Sequence, residues 1–194
     1  MTEYCDRGNL QNFLEERGKI KLEENRIALW LKQICSGLEN FMHRDVKAEN
    51  IFLSGENLTA KLGDLGLVKV LESPTGLAMT FCGSPYYMSP DILSHCPYGI
   101  KTDIWALGVI VYELSTLDKP FDASSMYSLT NKVLNEGVSI HLPPMPEEGY
   151  SEGLVKLMEK MLSKNPEVRP SATEILGDSY YKPRRPLPEP PKPV

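Results

Sequence analysis

The sequence predicts a mainly α-helical domain with one small β-hairpin, and three observations support that fold class. Apolar residues recur at helical spacing in most of the patterned segments. One segment of helical length, KTDIWALGVIVYELST (101–116), is apolar nearly all round, which is typical of a buried central helix. Only one pair of short strand-like runs is present, so helices dominate. The other predicted helices span 9–18, 22–38, 124–136, 151–162 and 172–176.

The first two helices have clear signals in the sequence. Asn9 can cap the first helix and Gly18 ends it, because a short polar residue before a helix and a glycine after it are common boundary residues. In the second helix, apolar residues form one stripe from Leu22 to Leu38, with charged residues between them. That spacing predicts a helix with one buried face.

A hairpin and a long loop follow in the middle of the chain. The runs IFL (51–53) and AKLG (60–63) flank the turn residues SGENLT, a pattern that predicts two paired strands. Residues 64–90 show no clear period and are rich in Gly, Pro, Ser and Thr, so we expect a long loop. Loops of that length in a compact domain are usually functional.

Length and composition fit one globular domain: 194 residues, 41% of them apolar and 24% charged. The net charge of −5 and the lack of a basic stripe argue against a nucleic-acid surface. No apolar run reaches the length of a membrane span, and the first residues do not form a secretory signal, so we expect neither secretion nor membrane spanning. Four separated cysteines predict reduced thiols in an intracellular protein, with neither a zinc site nor a disulfide framework: Cys5, Cys35, Cys82 and Cys96.

Four motifs in a fixed order indicate the class of protein: HRDVKAEN (43–50), KLGDLG (61–66), GSPYYMSPD (83–91) and DIWALG (103–108). Together they resemble the C-terminal lobe of a eukaryotic protein kinase, whose motifs include H-R-D-x-x-x-x-N, D-F-G and A-P-E. EYCDRGNL and LSKNPEVRPSATEIL narrow the resemblance to the NIMA-related serine/threonine kinases. The resemblance implies a kinase-like C-lobe over residues 1–180. The proline-rich composition of residues 181–194 predicts an extended or disordered tail.

The resemblance also implies roles for the catalytic residues. Phosphoryl transfer needs mainly positioning and charge neutralisation, because negative charge spreads over the phosphate oxygens. Asp45 would accept or orient the proton of the substrate hydroxyl, and Lys47 would approach the transferring phosphate. Asn50 and Asp64 would hold Mg²⁺, a hard cation that prefers oxygen ligands, so the expected cofactors are ATP and Mg²⁺.

Further residues match family positions around that centre. Glu3 and Cys5 belong to the hinge segment whose backbone could bind adenine, and Ser84 matches the residue that contacts the catalytic aspartate and helps select Ser or Thr substrates. Thr80 stands at the position of the activating phosphosite. Arg44 would form charge-assisted hydrogen bonds with a phosphorylated loop and so order it. Thr80 as an ordinary solvated loop residue is the alternative.

Three other residues have structural roles by the same resemblance. Asp103 would anchor the backbone of the catalytic loop. Asp91 stands where the family has the glutamate of A-P-E, and we expect it to pair with Arg169 despite a side chain that is one methylene shorter. Leu65 replaces the Phe of D-F-G, which leaves the metal-ligand position next to it intact.

Two departures from the family concern activity and strain. The chain begins at the hinge, with Thr2 at the gatekeeper position, and contains neither a Gly-rich phosphate loop nor the V-A-I-K lysine. A catalytically inactive truncated kinase that acts as a protein-binding module is therefore the alternative to an active serine/threonine kinase. Between Leu38 and His43 only four residues remain, so we expect the last turn of the preceding helix to unwind.

The expected partners are protein substrates, without nucleic acid or membrane. The tail contains Arg185, Pro188 and Pro191 in a spacing that fits a polyproline ligand for an SH3-type domain, although a merely disordered tail is the simpler interpretation. The resemblance implies a cytoplasmic protein, with the centrosome, the cilium and the nucleus as other family locations.

Overall fold

The computed structural model describes residues 3–39, 41–68, 78, 83–121, 123–135 and 149–181. Within these residues the chain forms seven α-helices and a two-stranded antiparallel sheet, so the prediction of a mainly helical fold with one small hairpin is confirmed. The elements are α1 (Leu10–Arg17), α2 (Glu24–Leu38), β1 (Ile51–Ser54), β2 (Thr59–Leu62), α3 (Pro90–Leu93), α4 (Lys101–Thr116), α5 (Met126–Leu134), α6 (Glu152–Met161) and α7 (Ala172–Leu176).

Helix α1 has both of the boundary residues that the sequence predicted. The side-chain oxygen of Asn9 accepts a hydrogen bond from the amide of Asn12 at 2.9 Å. At the other end, Gly18 has φ of 63° and donates its amide to the carbonyl of Leu14 at 3.2 Å. Both contacts satisfy backbone groups that a helix end leaves unpaired.

The last turn of α2 is retained, so the prediction that it unwinds was wrong. The helix continues to Leu38, and Glu39 still has helical dihedral angles. Beyond it, Met42 is fully buried and the amide of His43 contacts α4. Four linking residues can span about 14 Å when extended, which is enough to make this connection without residues taken from the helix.

The hairpin packs against α2, and the segment before α1 forms hydrogen bonds with the edge of β1. Its register pairs Ile51 with Leu62 and Ser54 with Thr59. On the open side of β1, the amide of Leu53 donates to the carbonyl of Gly8 at 2.9 Å, so the segment before α1 continues the sheet. On the side of β2, the indole N–H of Trp30 donates to the carbonyl of Leu58 at 2.7 Å. The hairpin is therefore held from both sides.

Helix α4 is the centre of the core, as its apolar composition predicted. It is buried nearly all round and packs against α2 and α6. The approach to α6 is close: a Cβ atom added at Gly108 would lie 3.0 Å from Met161 and from Leu162. Because Gly108 has no side chain, α4 and α6 can pack closely at this point.

The predicted loop at 64–90 contains short turns and leads into a helix that the sequence did not predict. Two 3-10 turns lie at Leu65–Leu67 and Pro85–Tyr87. Helix α3 then begins with Pro90, a residue that suits the first helical position because its ring presets φ and its missing N–H has no helical partner there. Residues 69–77 and 79–82 of this loop lie outside the described residues.

The last three predicted helices are confirmed, and each begins after a serine. The hydroxyl oxygens of Ser125, Ser151 and Ser171 each accept a hydrogen bond from the backbone amide three residues ahead. At Ser171 the side chain of Glu174 also binds back to the serine amide, which completes a capping box.

No described helix is both long and apolar enough to cross a membrane. The final described element is a 3-10 turn at Ser179–Tyr181, and the predicted Pro-rich tail lies outside the described residues from position 182 onward.

Replacement of Gly108 by alanine tests the packing of α4 on α6. We expect Gly108→Ala to be less stable than Gly37→Ala by about 1–3 kcal/mol, because the new methyl overpacks the contact with Met161 and Leu162. Gly37 is the matched control, since its added Cβ would meet no atom closer than Leu62 Cβ at 4.0 Å. Urea unfolding of both variants measures the difference, and equal stabilities would show that α6 can move aside freely.

Candidate active site

The candidate site is built on the loop that joins α2 to β1, residues 43–50. Arg44 has φ of 70°, in the left-handed region, so the chain turns sharply between His43 and Asp45. A 3-10 turn at Ala48–Asn50 then leads directly into β1. The loop thus presents several polar side chains within a short stretch, all anchored to the buried hairpin.

Asp103 on α4 holds the start of this loop. Its carboxylate accepts two backbone hydrogen bonds, from the amide of His43 at 2.7 Å and from the amide of Arg44 at 2.9 Å. Burial raises the pKa of Asp103 to about 7, and the two amide donors oppose that rise because they favour the charged form. A buried carboxylate on the central helix therefore determines where the loop backbone lies.

The imidazole of His43 joins this loop to the end of β2. Its Nε2 lies 2.9 Å from the carbonyl oxygen of Gly63, and its Nδ1 accepts a hydrogen bond from the amide of Asp45 at 3.3 Å. These partners require a neutral ring with the proton on Nε2. Burial lowers the pKa of His43, which favours the same neutral form. His43 is thus occupied on both nitrogens and fully buried.

Asp45 lies at the centre of a polar cluster of four side chains. Its Oδ1 accepts a hydrogen bond from Ser84 Oγ at 3.0 Å, and its Oδ2 accepts one from Asn50 Nδ2 at 3.1 Å. Lys47 Nζ lies 2.9 Å from the same Oδ2 and donates to Ser84 Oγ at 3.0 Å. Residues from two separate motifs therefore converge on one carboxylate.

Burial on its own raises the pKa of Asp45, but the surrounding donors outweigh burial. Hydrogen bonds from Lys47, Ser84 and Asn50, together with the positive charge of Lys47, hold the pKa of Asp45 below its usual value. The carboxylate is therefore ionised at neutral pH. An ionised carboxylate in this position is an acceptor for the hydrogen atom of a hydroxyl group.

Gly83 allows the segment that carries Ser84 to approach Arg44 and Asp45 closely. This role of Gly83 was not predicted from the sequence. Its φ is 105°, a region that residues with side chains rarely adopt. A Cβ at this position would lie 2.9 Å from the carbonyl oxygen of Arg44. The signal was available in the sequence, since a glycine directly before Ser84 suggests a tight backbone approach.

Asn50 and Asp64 are brought together by the hairpin. The amide of Gly63 donates to the carbonyl of Asn50 at 2.9 Å, so the residue before Asp64 lies beside Asn50. Because Asn50 Nδ2 donates to Asp45, its amide oxygen is directed away from that carboxylate. Asp64 is exposed, has left-handed dihedral angles and accepts a hydrogen bond from the amide of Gly66 at 3.4 Å.

These two side chains carry oxygen donors that could hold a magnesium ion together with phosphate. Mg²⁺ commonly takes one or two protein oxygens and completes its shell with substrate phosphates and water. Among the described residues there is no group of three or more His, Cys, Asp or Glu that could form an all-protein metal site. The oxygen donors of Asn50 and Asp64 agree with the first arrangement.

The structure also describes three other predicted residues, Arg44, Glu3 and Cys5. The guanidinium Nε of Arg44 donates to the carbonyl of Leu67, so this side chain already contacts the loop after Asp64. Glu3 forms an ion pair with Lys61 on β2, and Cys5 is half-buried nearby. Thr80 lies outside the described residues.

Asp91 and Arg169 form an ion pair beneath the site. Arg169 is fully buried, lies 5.7 Å from the ring of Trp105 and also donates to the carbonyl of Lys101 at 3.1 Å. Only Nη2 of Arg169 binds Asp91, and its buried Nε has no hydrogen-bond partner within the described part of the chain. Burial lowers the pKa of Arg169, and the charge of Asp91 opposes that change.

Comparisons of the sequence with known proteins identify the family. The model of the protein kinase domain matches residues 1–181, and the chain therefore belongs to the protein kinase family. Within it, the relatives are NIMA-related (Nek) kinases, as the sequence motifs predicted. Serine/threonine-protein kinase Nek4 of Mus musculus is 42% identical over 184 residues, which cover 92% of this chain and 22% of Nek4.

Two further relatives give the same result. Serine/threonine-protein kinase Nek5 of Homo sapiens is 40% identical over 187 residues, which cover 94% of this chain and 26% of Nek5. Serine/threonine-protein kinase Nek3 of Mus musculus is 41% identical over an alignment of 198 positions, which includes 99% of this chain and 37% of Nek3. The chain thus spans well under half the length of each of these relatives.

Replacement of Ser84 by alanine tests the electrostatics of the cluster. We expect Ser84→Ala to raise the pKa of Asp45, because one of the hydrogen bonds that favour its ionised form is lost. A carboxyl ¹³C NMR titration measures the change, with exposed Ser124→Ala as the control. Since the folded pKa is lowered, ionised Asp45 stabilises the fold above its unfolded pKa, and this contribution is lost as the pH falls through the folded value. An unchanged pKa in Ser84→Ala would contradict this account.

Replacement of Asp91 by glutamate tests the incomplete pairing of Arg169. We expect Asp91→Glu to raise the free energy of unfolding by about 1–2 kcal/mol, because the longer side chain can reach the unpaired Nε as well as Nη2. Asp91→Ala should instead lower it by about 3–5 kcal/mol, since Arg169 is left as a buried charge. Exposed Asp118→Glu is the control. A less stable Asp91→Glu protein would mean that the extra methylene does not fit.

Proposed function

We propose that this chain is the substrate-binding and catalytic lobe of a serine/threonine protein kinase that transfers the γ-phosphate of ATP to protein hydroxyls. One observation carries the proposal: an ionised carboxylate, Asp45, is surrounded by Lys47, Asn50 and Ser84 on two loops that meet at hydrogen-bond distance. The Nek relatives are serine/threonine-protein kinases by name, which supports the same activity.

Asp45 acts on the hydroxyl of the protein substrate. Its Oδ1 already accepts a hydrogen bond from a hydroxyl, that of Ser84, so a serine or threonine of a substrate meets an acceptor suited to it. As the oxygen attacks the phosphate, its proton moves toward the carboxylate. Ser84 stays beside Asp45 and is well placed to position the substrate hydroxyl.

Lys47, Asn50 and Asp64 act on the phosphate side of the reaction. Lys47 carries its positive charge 2.9 Å from Asp45, so it would lie close to both the attacking oxygen and the group that is transferred. Asn50 and Asp64 would supply oxygen ligands for Mg²⁺. A magnesium ion held there would neutralise the negative charge of the phosphate oxygens.

Two regulatory and binding roles belong to the same proposal. Phosphorylated Thr80 would bind the guanidinium of Arg44, whose Nε already contacts the loop at Leu67. The backbone between Glu3 and Cys5 would bind the adenine of ATP, close to the edge that Gly8 forms with β1.

A protein-binding module without catalysis is the second candidate, and one observation favours it. The side chains of Leu65 and Leu67 are 60% and 38% exposed, directly beside Asp64. Exposed apolar side chains of this size are common at surfaces that bind other proteins.

The proposed partners are protein substrates. We also propose a cytoplasmic location. The tail, with Arg185, Pro188 and Pro191, is proposed to bind an SH3-type domain.

The decisive experiment is phosphate transfer by the purified 194-residue chain to a generic Ser/Thr protein substrate, with Mg²⁺ and ATP. Because the chain contains neither a Gly-rich phosphate loop nor the V-A-I-K lysine, we expect only slow transfer. We expect Asp45→Asn to reduce that transfer by about 10²–10⁴-fold, because the proton acceptor is lost while the shape is kept. The control is Asp118→Asn, the same change at an exposed position on the surface. No transfer from a chain shown to be folded by circular dichroism would favour the protein-binding module.

A further inference from the structure

Two hydroxyl groups meet in the core between α3 and α4. Ser89 directly precedes α3, Thr102 lies in the first turn of α4, and their side-chain oxygens are 3.2 Å apart, at hydrogen-bond distance. Ser89 is fully buried, and Thr102 is 4% exposed. A hydroxyl that is taken out of water is costly unless it is hydrogen-bonded, and this contact supplies the hydrogen bond for both side chains.

The side chain of Ser89 does not cap the helix that it precedes. A serine in this position commonly accepts a hydrogen bond from an amide of the first helical turn, as Ser125, Ser151 and Ser171 do. Ser89 makes no such hydrogen bond to α3, and its hydroxyl contacts Thr102 instead. The hydroxyl therefore joins two segments of the chain rather than stabilising its own helix.

The partner of Ser89 stands beside the residue that anchors the catalytic loop. Asp103 holds the loop that carries Asp45, and the preceding residue, Thr102, holds the segment that carries Ser84. Both parts of the site are thus attached to consecutive residues of one buried helix. They meet around a cavity of about 10 Å³ that is lined by residues of the loop, the segment and the helix, among them Arg44, Asp45, Ser84, Thr102 and Asp103.

A short hydrogen-bonded turn connects Ser89 to Ser84. The amide of Tyr87 donates to the carbonyl of Ser84 at 3.0 Å, and the amide of Met88 donates to the carbonyl of Pro85 at 3.1 Å. Tyr87 and Met88 are also buried. Because the turn is closed by hydrogen bonds and packed into the core, a displacement of Ser89 would move Ser84 as well.

We propose that Ser89 and Thr102 are positioning residues for phosphate transfer, because their hydrogen bond fixes the segment that carries Ser84 and so holds the hydroxyl of Ser84 on Asp45. Both side chains are buried, so they act through Ser84 and not on the substrate. The inference rests on the proposed function and deepens it, since it names the contact that aligns one half of the site with the other.

Crystal structures of variants of the full chain test the position of Ser84 without catalysis. Thr102→Val keeps the shape of the side chain and removes the hydroxyl. We expect the distance from Ser84 Oγ to Asp45 Oδ1, which is 3.0 Å in the parent chain, to increase beyond hydrogen-bond distance. Ser89→Ala, which removes the other hydroxyl, should have the same effect. Thr102→Ser keeps a hydroxyl and should restore the distance.

The matched control for these variants is Ser115→Ala. Ser115 is another buried hydroxyl residue of α4, and its Oγ donates within the helix to the carbonyl of Val111 at 2.7 Å. This change should leave the contact between Ser84 and Asp45 intact. An unchanged contact in both Thr102→Val and Ser89→Ala would overturn the inference.

A double-mutant cycle in the phosphate-transfer assay shows whether Thr102 acts through Ser84. We expect Thr102→Val to lower kcat by about two- to tenfold and to leave KM for ATP unchanged, because one neutral hydrogen bond contributes about that factor. In a Ser84→Ala background the same change should have no further effect, since no hydroxyl is left to position. Ser115→Ala should leave kcat unchanged in both backgrounds. Circular dichroism confirms that each variant is folded at the assay temperature.

The two measurements separate this inference from the proposed function. A lengthened contact in Thr102→Val, without phosphate transfer by the parent chain, would overturn the kinase activity and retain the hydrogen bond as the contact that positions Ser84. Phosphate transfer that Thr102→Val lowers equally with and without the hydroxyl of Ser84 would retain the activity and overturn the inference.

Discussion

The arrangement of the candidate site depends on one buried carboxylate, that of Asp103 on the central helix α4. It accepts the amides of His43 and Arg44 and so fixes the backbone from which Asp45 follows. A carboxylate taken out of water is costly unless hydrogen bonds compensate for the lost hydration, and two backbone amides provide that compensation. Because α4 is the most buried helix among the described residues, the loop takes its position from the centre of the core.

From that anchor, the site is assembled by contacts between segments far apart in the chain. The imidazole of His43 ties the loop to Gly63 at the end of β2, which places Asp64 beside Asn50. Gly83 approaches the carbonyl of Arg44 so closely that any side chain would clash, and this approach delivers the hydroxyl of Ser84 to Asp45. The result is one carboxylate with several donors around it, kept ionised by hydrogen bonds and a neighbouring charge in spite of its burial.

A second buried charge, that of Arg169, lies at the far end of the segment that carries Ser84. Arg169 packs against Trp105 and pairs with Asp91 at the start of α3, directly after the turn that carries Tyr86. The segment from Gly83 to Asp91 thus joins the polar cluster around Asp45 to this buried ion pair. A change in the pairing of Arg169 would therefore alter the position of the whole segment, because a buried charge restricts the arrangement of the groups packed around it.

The sequence by itself determined the class of fold, the family and most of the secondary structure. Helical spacing, the cap at Asn9 and the apolar segment of α4 each depend on residues close together in the chain, so their signals are local and readable. The motif residues could be named as candidates for the same reason. The tertiary structure decided what local patterns do not contain: that α2 keeps its last turn, that Gly83 is needed for Ser84 to reach Asp45, and that Asp91 leaves one nitrogen of Arg169 without a partner. Each of these outcomes depends on distances between segments that are remote in sequence, and those distances are set only when the core around α4 packs.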